Sequence, residues 1–194
     1  QLSLSIGTPH DKESHYDLIS AYIKSLRGSD PNAALYWIGR LLKNGEDPRF
    51  IARRLIIFAS EDIGNADPSA FPMATALLTA SQHIGMPEIR INIAQVTTYF
   101  AAAPKSNRSY EAINKVFSTI DEGTLYPVPE YLKNKPKKPL NKAPTESYDY
   151  PHQHPQAISS QQYLPKTHAF YQPSEHGKEA EIAERLRTIS DLKY

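Results

Sequence analysis

The run EIRINIAQVTTYF, Glu88–Phe100, has two readings, and the choice between them sets the fold class. Ile89, Ile91 and Ile93 alternate with Arg90 and Asn92, which is the two-residue period of a half-buried strand. Ile89, Ile93, Val96, Phe100 and Ala103 also line up as one stripe at helical spacing. The length of the run and the three alanines before Pro104 favour the helix, so no segment of the chain is left that demands a sheet.

Outward from this run the punctuation is helical. Asp30-Pro31, Asp47-Pro48 and Asp67-Pro68 each place a capping carboxylate before a proline. Proline suits the first helical position because its missing N–H would have no partner there. Leu35, Ile38 and Leu42 share a face, as do Ala74, Leu77, Ser81 and Ile84. Upstream, Ile19, Tyr22, Ile23 and Leu26 predict an amphipathic helix ending near Gly28. Downstream, Tyr110, Ile113, Phe117 and Ile120 predict another, ending at Gly123. Six helices over roughly 123 residues with short connections predict an all-α, compact antiparallel array.

Proline then divides the chain. Nine of its 16 prolines lie from Pro127 to Pro173, and no glycine intervenes between Gly123 and Gly177. The expected organisation is a linker at 1–14, a helical domain at 15–123, a Pro-rich docked arm at 124–176, and a C-terminal helix at 177–194. Tyrosines in the arm suit docking, since disordered segments are poor in aromatics. With 40% hydrophobic residues the chain can build a core, and a net charge of +1 gives no global pull toward nucleic acid or membrane. The absence of cysteine removes disulfides, thiolate metal sites and cysteine nucleophiles, and fits a reducing compartment. No apolar run approaches the ~18 residues that span a bilayer, and the first residues lack the pattern of a signal peptide. The chain does not begin with Met and is expected to be part of something longer.

The eight glycines, at 7, 28, 39, 45, 64, 85, 123 and 177, form neither G-x-x-x-x-G-K-[ST] nor G-x-G-x-x-G, so no phosphate-binding loop is expected here. No serine lies in G-x-S-x-G or S-x-x-K. His152, His154, His168 and His176 lack an accompanying carboxylate cluster and read as loop histidines rather than ligands; no metal site and no cofactor are expected in this chain. The stretch RRLIIFASEDIGNADP, Arg53–Pro68, puts two acids near a predicted helix C-terminus, where the macrodipole disfavours negative charge. Arg53, Ile57 and Glu61 fall on one line and Arg54, Phe58 and Asp62 on the next. A paired-carboxylate acid/base site is one reading. A structural ion-pair cluster of Arg53, Arg54, Glu61 and Asp62, helped by arginines such as Arg27, Arg40 and Arg90 from other helices, is the favoured one. Adjacent helical residues diverge by ~100° and do not naturally aim at one reacting atom. No catalytic residue is assigned. Lys133, Lys135, Lys137, Lys138 and Lys142, flanked by Tyr126, Tyr131, Tyr148 and Tyr150, are candidates for nucleic-acid contact, or else form a solvated basic linker.

The blocks HYDLISAYIKSLRGSDPNAALYWIGRLL (His15–Leu42), GEDPRFIARRLIIFASEDIGNADP (Gly45–Pro68), APKSNRSYEAI (Ala103–Ile113), PVPEYLKN (Pro127–Asn134), QQYLP (Gln161–Pro165) and IAERL (Ile182–Leu186) occur in this order across nearly the whole chain. Together they resemble the C-terminal part of the replication-associated recombination protein A family, the RarA or MgsA type AAA+ ATPases, related to Werner-helicase-interacting ATPases. The resemblance implies a region like a clamp-loader collar that drives assembly, with homotetramers expected. It also implies a parent that is a DNA-dependent ATPase at stalled or damaged forks. That parent would bind ATP and Mg²⁺ in an N-terminal module outside this chain, associate with DNA and single-stranded DNA-binding protein, and work in the bacterial cytoplasm at the nucleoid, with no membrane partner. SEDIGNADP resembles a signature block of the family, and its acids are expected to be architectural. One departure stands out: where the family usually carries a glycine-containing stretch before a YPHD-like segment, this chain reads KPKKPLNKAPTESYDYPHQHPQAISS, with no glycine. The lysines thus fall where the match is weakest. A nucleic-acid-binding module using the lysine arm is the alternative function, and a free-standing hydrolase is the third.

Overall fold

The structure is a computed structural model that describes residues 14–134 and 147–193. Among these it has seven α-helices and no strand: α1 (His15–Arg27), α2 (Pro31–Lys43), α3 (Pro48–Phe58), α4 (Ala70–His83), α5 (Ile89–Ala102), α6 (Arg108–Asp121) and α7 (Glu179–Lys193).

Local chemistry starts the first three helices. Ser14 and Asp17 form a reciprocal capping box on α1. Asp30 accepts from Ala33 N at 2.9 Å and Asp47 from Arg49 N at 2.8 Å, each followed by proline at the first helical position. The third Asp-Pro pair behaves differently. Helix α4 begins at Ala70, and Asp67 lies outside it, its carboxylate taken by Ser69 and Tyr99.

The ambiguous run is helical, and α5 is the centre of the body. It packs against α1, α2, α3 and α4, while α1 packs on α2 and α3 on α4. The stripe Ile89, Ile93, Val96, Phe100 and Ala103 is buried, whereas Ile91, which a strand would have placed with Ile89 and Ile93, is 65% exposed. Phe58 and Phe100 stack at 6.1 Å between centroids. Tyr22, fully buried, shares a 2.8 Å hydrogen bond with Thr97, so its hydroxyl enters the core with a partner. Burial pushes that phenol far above its ordinary pKa, and the Thr97 bond only partly offsets the effect. Each large apolar side chain buried here stabilises the body by roughly 1.5–3 kcal/mol. Ile84, expected on the inner face of α4, lies past the helix end and is partly exposed.

Helix α6 and the arm lie outside this core. The arm has short 3-10 turns at Glu130–Leu132, Pro151–Gln153 and Pro155–Ala157. Tyr126 and His168 share a 2.8 Å hydrogen bond, and the His168 and Phe170 rings stack in parallel at 4.7 Å. Val116, Thr119 and Ile120 of α6 line a small cleft with Tyr126, Leu164 and Phe170, which ties the arm to that helix.

Candidate functional site

After Phe58 the chain widens into a π turn, Ala59–Ile63, and then tightens into a 3-10 turn, Gly64–Ala66. A π turn changes the angular step of the helix, so the lines drawn at 3.6 residues per turn no longer hold past Ala59. Arg53 lies over the Phe50 ring at 6.0 Å, Arg54 is exposed, and neither pairs with Glu61 or Asp62 among the described residues. The structure does not assemble those four residues as one cluster. Arg27, at the end of α1, takes their place. It donates Nε to Asp62 Oδ1 at 2.5 Å and Nη2 to Asp62 Oδ2 at 3.0 Å, and Glu61 Oε1 lies 3.9 Å from Nη2. Donating to the Asp62 carboxylate holds the guanidinium above its ordinary pKa, against a smaller opposing effect of burial. Asp62 is 8% exposed, so a two-point partner is what makes its burial tolerable. Its backbone carbonyl accepts Ser106 N at 2.8 Å, which joins the turn to the start of α6.

Each following residue makes a further link. Gly64 has φ +53, and a Cβ there would lie 2.6 Å from Ser106 O, so only glycine fits. Asn65 Nδ2 donates to Tyr171 Oη at 3.1 Å and Ser109 Oγ at 3.3 Å. Ala66 O accepts Lys178 N at 2.8 Å. Gly177, with φ +52, abuts the same carbonyl so closely that any side chain would collide with it. Asp67 accepts from Ser69 Oγ and Tyr99 Oη, both at 2.6 Å. Partial burial raises its pKa, but the Ser69 and Tyr99 donors together outweigh that and hold it below the usual range.

Glu179, fully buried at the start of α7, completes the junction. Its carboxylate accepts Tyr171 Oη at 2.8 Å, Ser174 Oγ at 2.6 Å and a close bond from Ser106 Oγ. Burial raises its pKa, and the three hydroxyls together reverse the effect, so the group titrates below its usual range. Glu179 is fully buried with its carboxylate held by three hydroxyls, and Asp62 is buried against the Arg27 guanidinium, so neither is open to a substrate and this geometry does not serve the acid/base reading. The junction is mechanical: it ties α1, α5, α6 and the C-terminal segment to one turn.

The other candidates lie apart. Lys133 pairs with Glu130, and Lys135, Lys137, Lys138 and Lys142 lie outside the described residues. His154 Nε2 meets Asp149 Oδ1 at 2.6 Å, His176 Nδ1 meets Lys105 O at 2.9 Å, and His152 rests on the Tyr150 ring. No group of three metal-ligating side chains converges among the described residues. Sequence reasoning missed Glu179, Ser106 and Tyr171. The positive-φ glycines flanking the junction, Gly64 and Gly177, were the available signal, and neither names its partner.

The largest uncovered feature is on α6. Tyr110, Ile113, Phe117 and Ile120 recur at intervals of three and four along one face, and all four are between 44% and 58% exposed. The helix buries no residue at all.

A family model described as the C terminal of MgsA AAA+ ATPases matches residues 28–190. A Thermotoga maritima protein is 45% identical over 189 residues, which are 95% of this chain and 31% of that protein. A Coxiella burnetii protein named replication-associated recombination protein A is 41% identical over 186 residues, 93% of this chain and 42% of that protein. A Dictyostelium discoideum protein named ATPase WRNIP1 is 42% identical over 159 residues, 79% of this chain and 18% of that protein. The chain spans less than half the length of each of these relatives. Among the described residues no helix is long and apolar enough to cross a membrane.

Proposed function

Since this chain belongs to the MgsA family of AAA+ ATPases and forms its C-terminal region, we propose that it serves as a collar-like oligomerisation module and not as a catalyst. The observation that carries this reading is the uncovered face of α6. A strongly amphipathic helix with no fully buried residue among the described residues leaves Tyr110, Ile113 and Phe117 in water, with Ile120 at the edge of the cleft shared with the arm, and such a patch marks an interface. The junction at Glu61–Asp67 supports it by fixing how α6 leaves the body. On this reading the assembly is a homotetramer, and the parent carries the ATP- and Mg²⁺-dependent module elsewhere in its length. It acts on DNA in replication-associated recombination, beside single-stranded DNA-binding protein, in the bacterial cytoplasm at the nucleoid.

The test is the solution mass of this chain across a concentration series. A mass near four chains that persists on dilution, falling to one chain in Phe117→Asp, is expected. A concentration-independent monomer overturns the reading.

A second reading has its own observation. Tyr148 and Tyr150 are half exposed just beyond the lysine run, and exposed aromatic rings beside lysines suit stacking with bases. It requires salt-sensitive binding of single-stranded DNA that weakens when Lys135, Lys137 and Lys138 become Gln; binding indifferent to those changes removes it.

A further inference from the structure

The body has an open apolar groove of about 580 Å³ between α2 and α5. Leu35, Leu42, Met86 and Ile91 form its walls, and Gly39 lies in it with nothing within 4 Å of where a Cβ would stand. A glycine in mid-helix costs stability unless something needs the space. Lys43 and Arg90 stand at the groove, no carboxylate lines it, and neither cation has an ion pair among the described residues.

Helix α6 has the complementary features. Its apolar face is a row of four side chains at helical spacing. Its C-terminal end carries Asp121 and Glu122 and no basic residue in the last turn. Two carboxylates at the negative end of a helix dipole are unfavourable alone, and among the described residues neither has a cation. Each surface therefore lacks what the other supplies: apolar contact along its length and opposite charge.

We infer that the occupant of the α2/α5 groove is α6 of a second copy of this chain, a helix-in-groove contact with Asp121 and Glu122 meeting Lys43 and Arg90. This rests on the oligomerisation reading and deepens it. The contact is heterologous: one face of a copy meets a different face of the next, so copies follow head to tail and a closed ring is the finite solution.

A complementation experiment decides it. Gly39→Leu fills the groove and leaves α6 intact, and a leucine in α2 favours the helix. Phe117→Asp spoils α6 on an exposed face and leaves the groove intact. Each variant alone is expected to be monomeric with unchanged helix content. Mixed in equal amounts, they are expected to form a species of two chains, because one sound α6 finds one sound groove. If Gly39→Leu keeps the wild-type mass while Phe117→Asp is monomeric, α6 pairs with itself or with another surface, and the groove proposal falls while oligomerisation stands. If both variants are monomeric and the mixture remains so, the head-to-tail pairing is likewise overturned. If the wild-type chain is itself monomeric at every concentration, both readings fall. As an independent check, Lys43→Glu with Arg90→Glu lowers the mass, and Asp121→Lys with Glu122→Lys in the same chain restores it; reversal without restoration counts against the proposed pairing of charges.

Discussion

Helices α5 and α6 are the same length and follow one another in the chain, yet one buries six residues and the other none. Their difference does not lie in the strength of the apolar pattern, since Tyr110, Ile113, Phe117 and Ile120 are as regular as Ile89, Ile93, Val96 and Phe100. It lies in what each finds within reach. Helix α5 is surrounded by α1 to α4, whereas α6 is led outward by the turn through Pro104–Asn107, which the Asp62–Ser106 bond and the Gly64–Ser106 approach hold in place. An amphipathic stripe therefore marks an apolar face and is silent about whether its own chain covers it.

The sharpest way to break the comparison is to truncate one aromatic in each helix. Phe100→Ala leaves a cavity beside Phe58 and is expected to cost about 3–5 kcal/mol, read as a lower denaturant midpoint at unchanged slope. Reversing both acids of the junction, Glu61→Lys with Asp62→Lys, sets two cations against Arg27. It is expected to lower the melting temperature or the assembled mass by an amount second only to the core change. Wild-type melting and mass in that variant would show that the acids are not structural. Glu179→Gln keeps the shape but replaces one carboxylate oxygen by an NH2 that cannot accept, so at least one of the three hydroxyls loses its acceptor, a loss of roughly 1–2 kcal/mol, expected as earlier proteolytic release of α7 with the body still folded.

The pH dependence follows with the same sign. Glu179 and Asp67 both titrate lower folded than unfolded, so their contribution is present above the ordinary carboxylate range and is lost as pH falls below that range through the lower folded values. Hydrogen exchange across 171–193 is therefore expected to quicken on acidification before exchange in α5 does, and Glu179→Gln should remove most of that difference. The smallest effect belongs to Phe117→Ala. Monomer stability is expected to change by no more than about 0.5 kcal/mol, while mass on dilution falls. A large loss of monomer stability would mean that α6 is part of the body after all.

What the sequence disclosed divides along the same line. The stripe through Glu88–Phe100, the Asp30 and Asp47 caps and the exit of α1 at Gly28 are local, and the structure has them where spacing puts them. The third Asp-Pro pair does not open α4 directly: Asp67 Oδ1 still accepts Ser69 N, but the helix begins only at Ala70, and Tyr99, thirty-two residues away, takes the other oxygen. Arg53 and Arg54 failed as partners because a π turn resets the angular step after Phe58, and nothing in the order ASEDI announces it. Glu179 was unreadable because its donors lie at Ser106, Tyr171 and Ser174, which only the folded chain brings together. SEDIGNADP stood out in the sequence, but the arginine that holds Asp62 was one of several offered.

The bond from Lys178 N to Ala66 O gives the chain a timetable. A ribosome adds on the order of 5–20 residues per second, so the whole α1–α5 body has emerged seconds before Gly177 and Glu179 exist to close the turn. During that interval Asn65 and Ser106 face solvent without their later partners, and α6 projects from a body already folded. The turn at Glu61–Asp67 is therefore closed by Lys178, a residue made more than a hundred positions after it, and its final geometry waits on the helix that begins at Glu179.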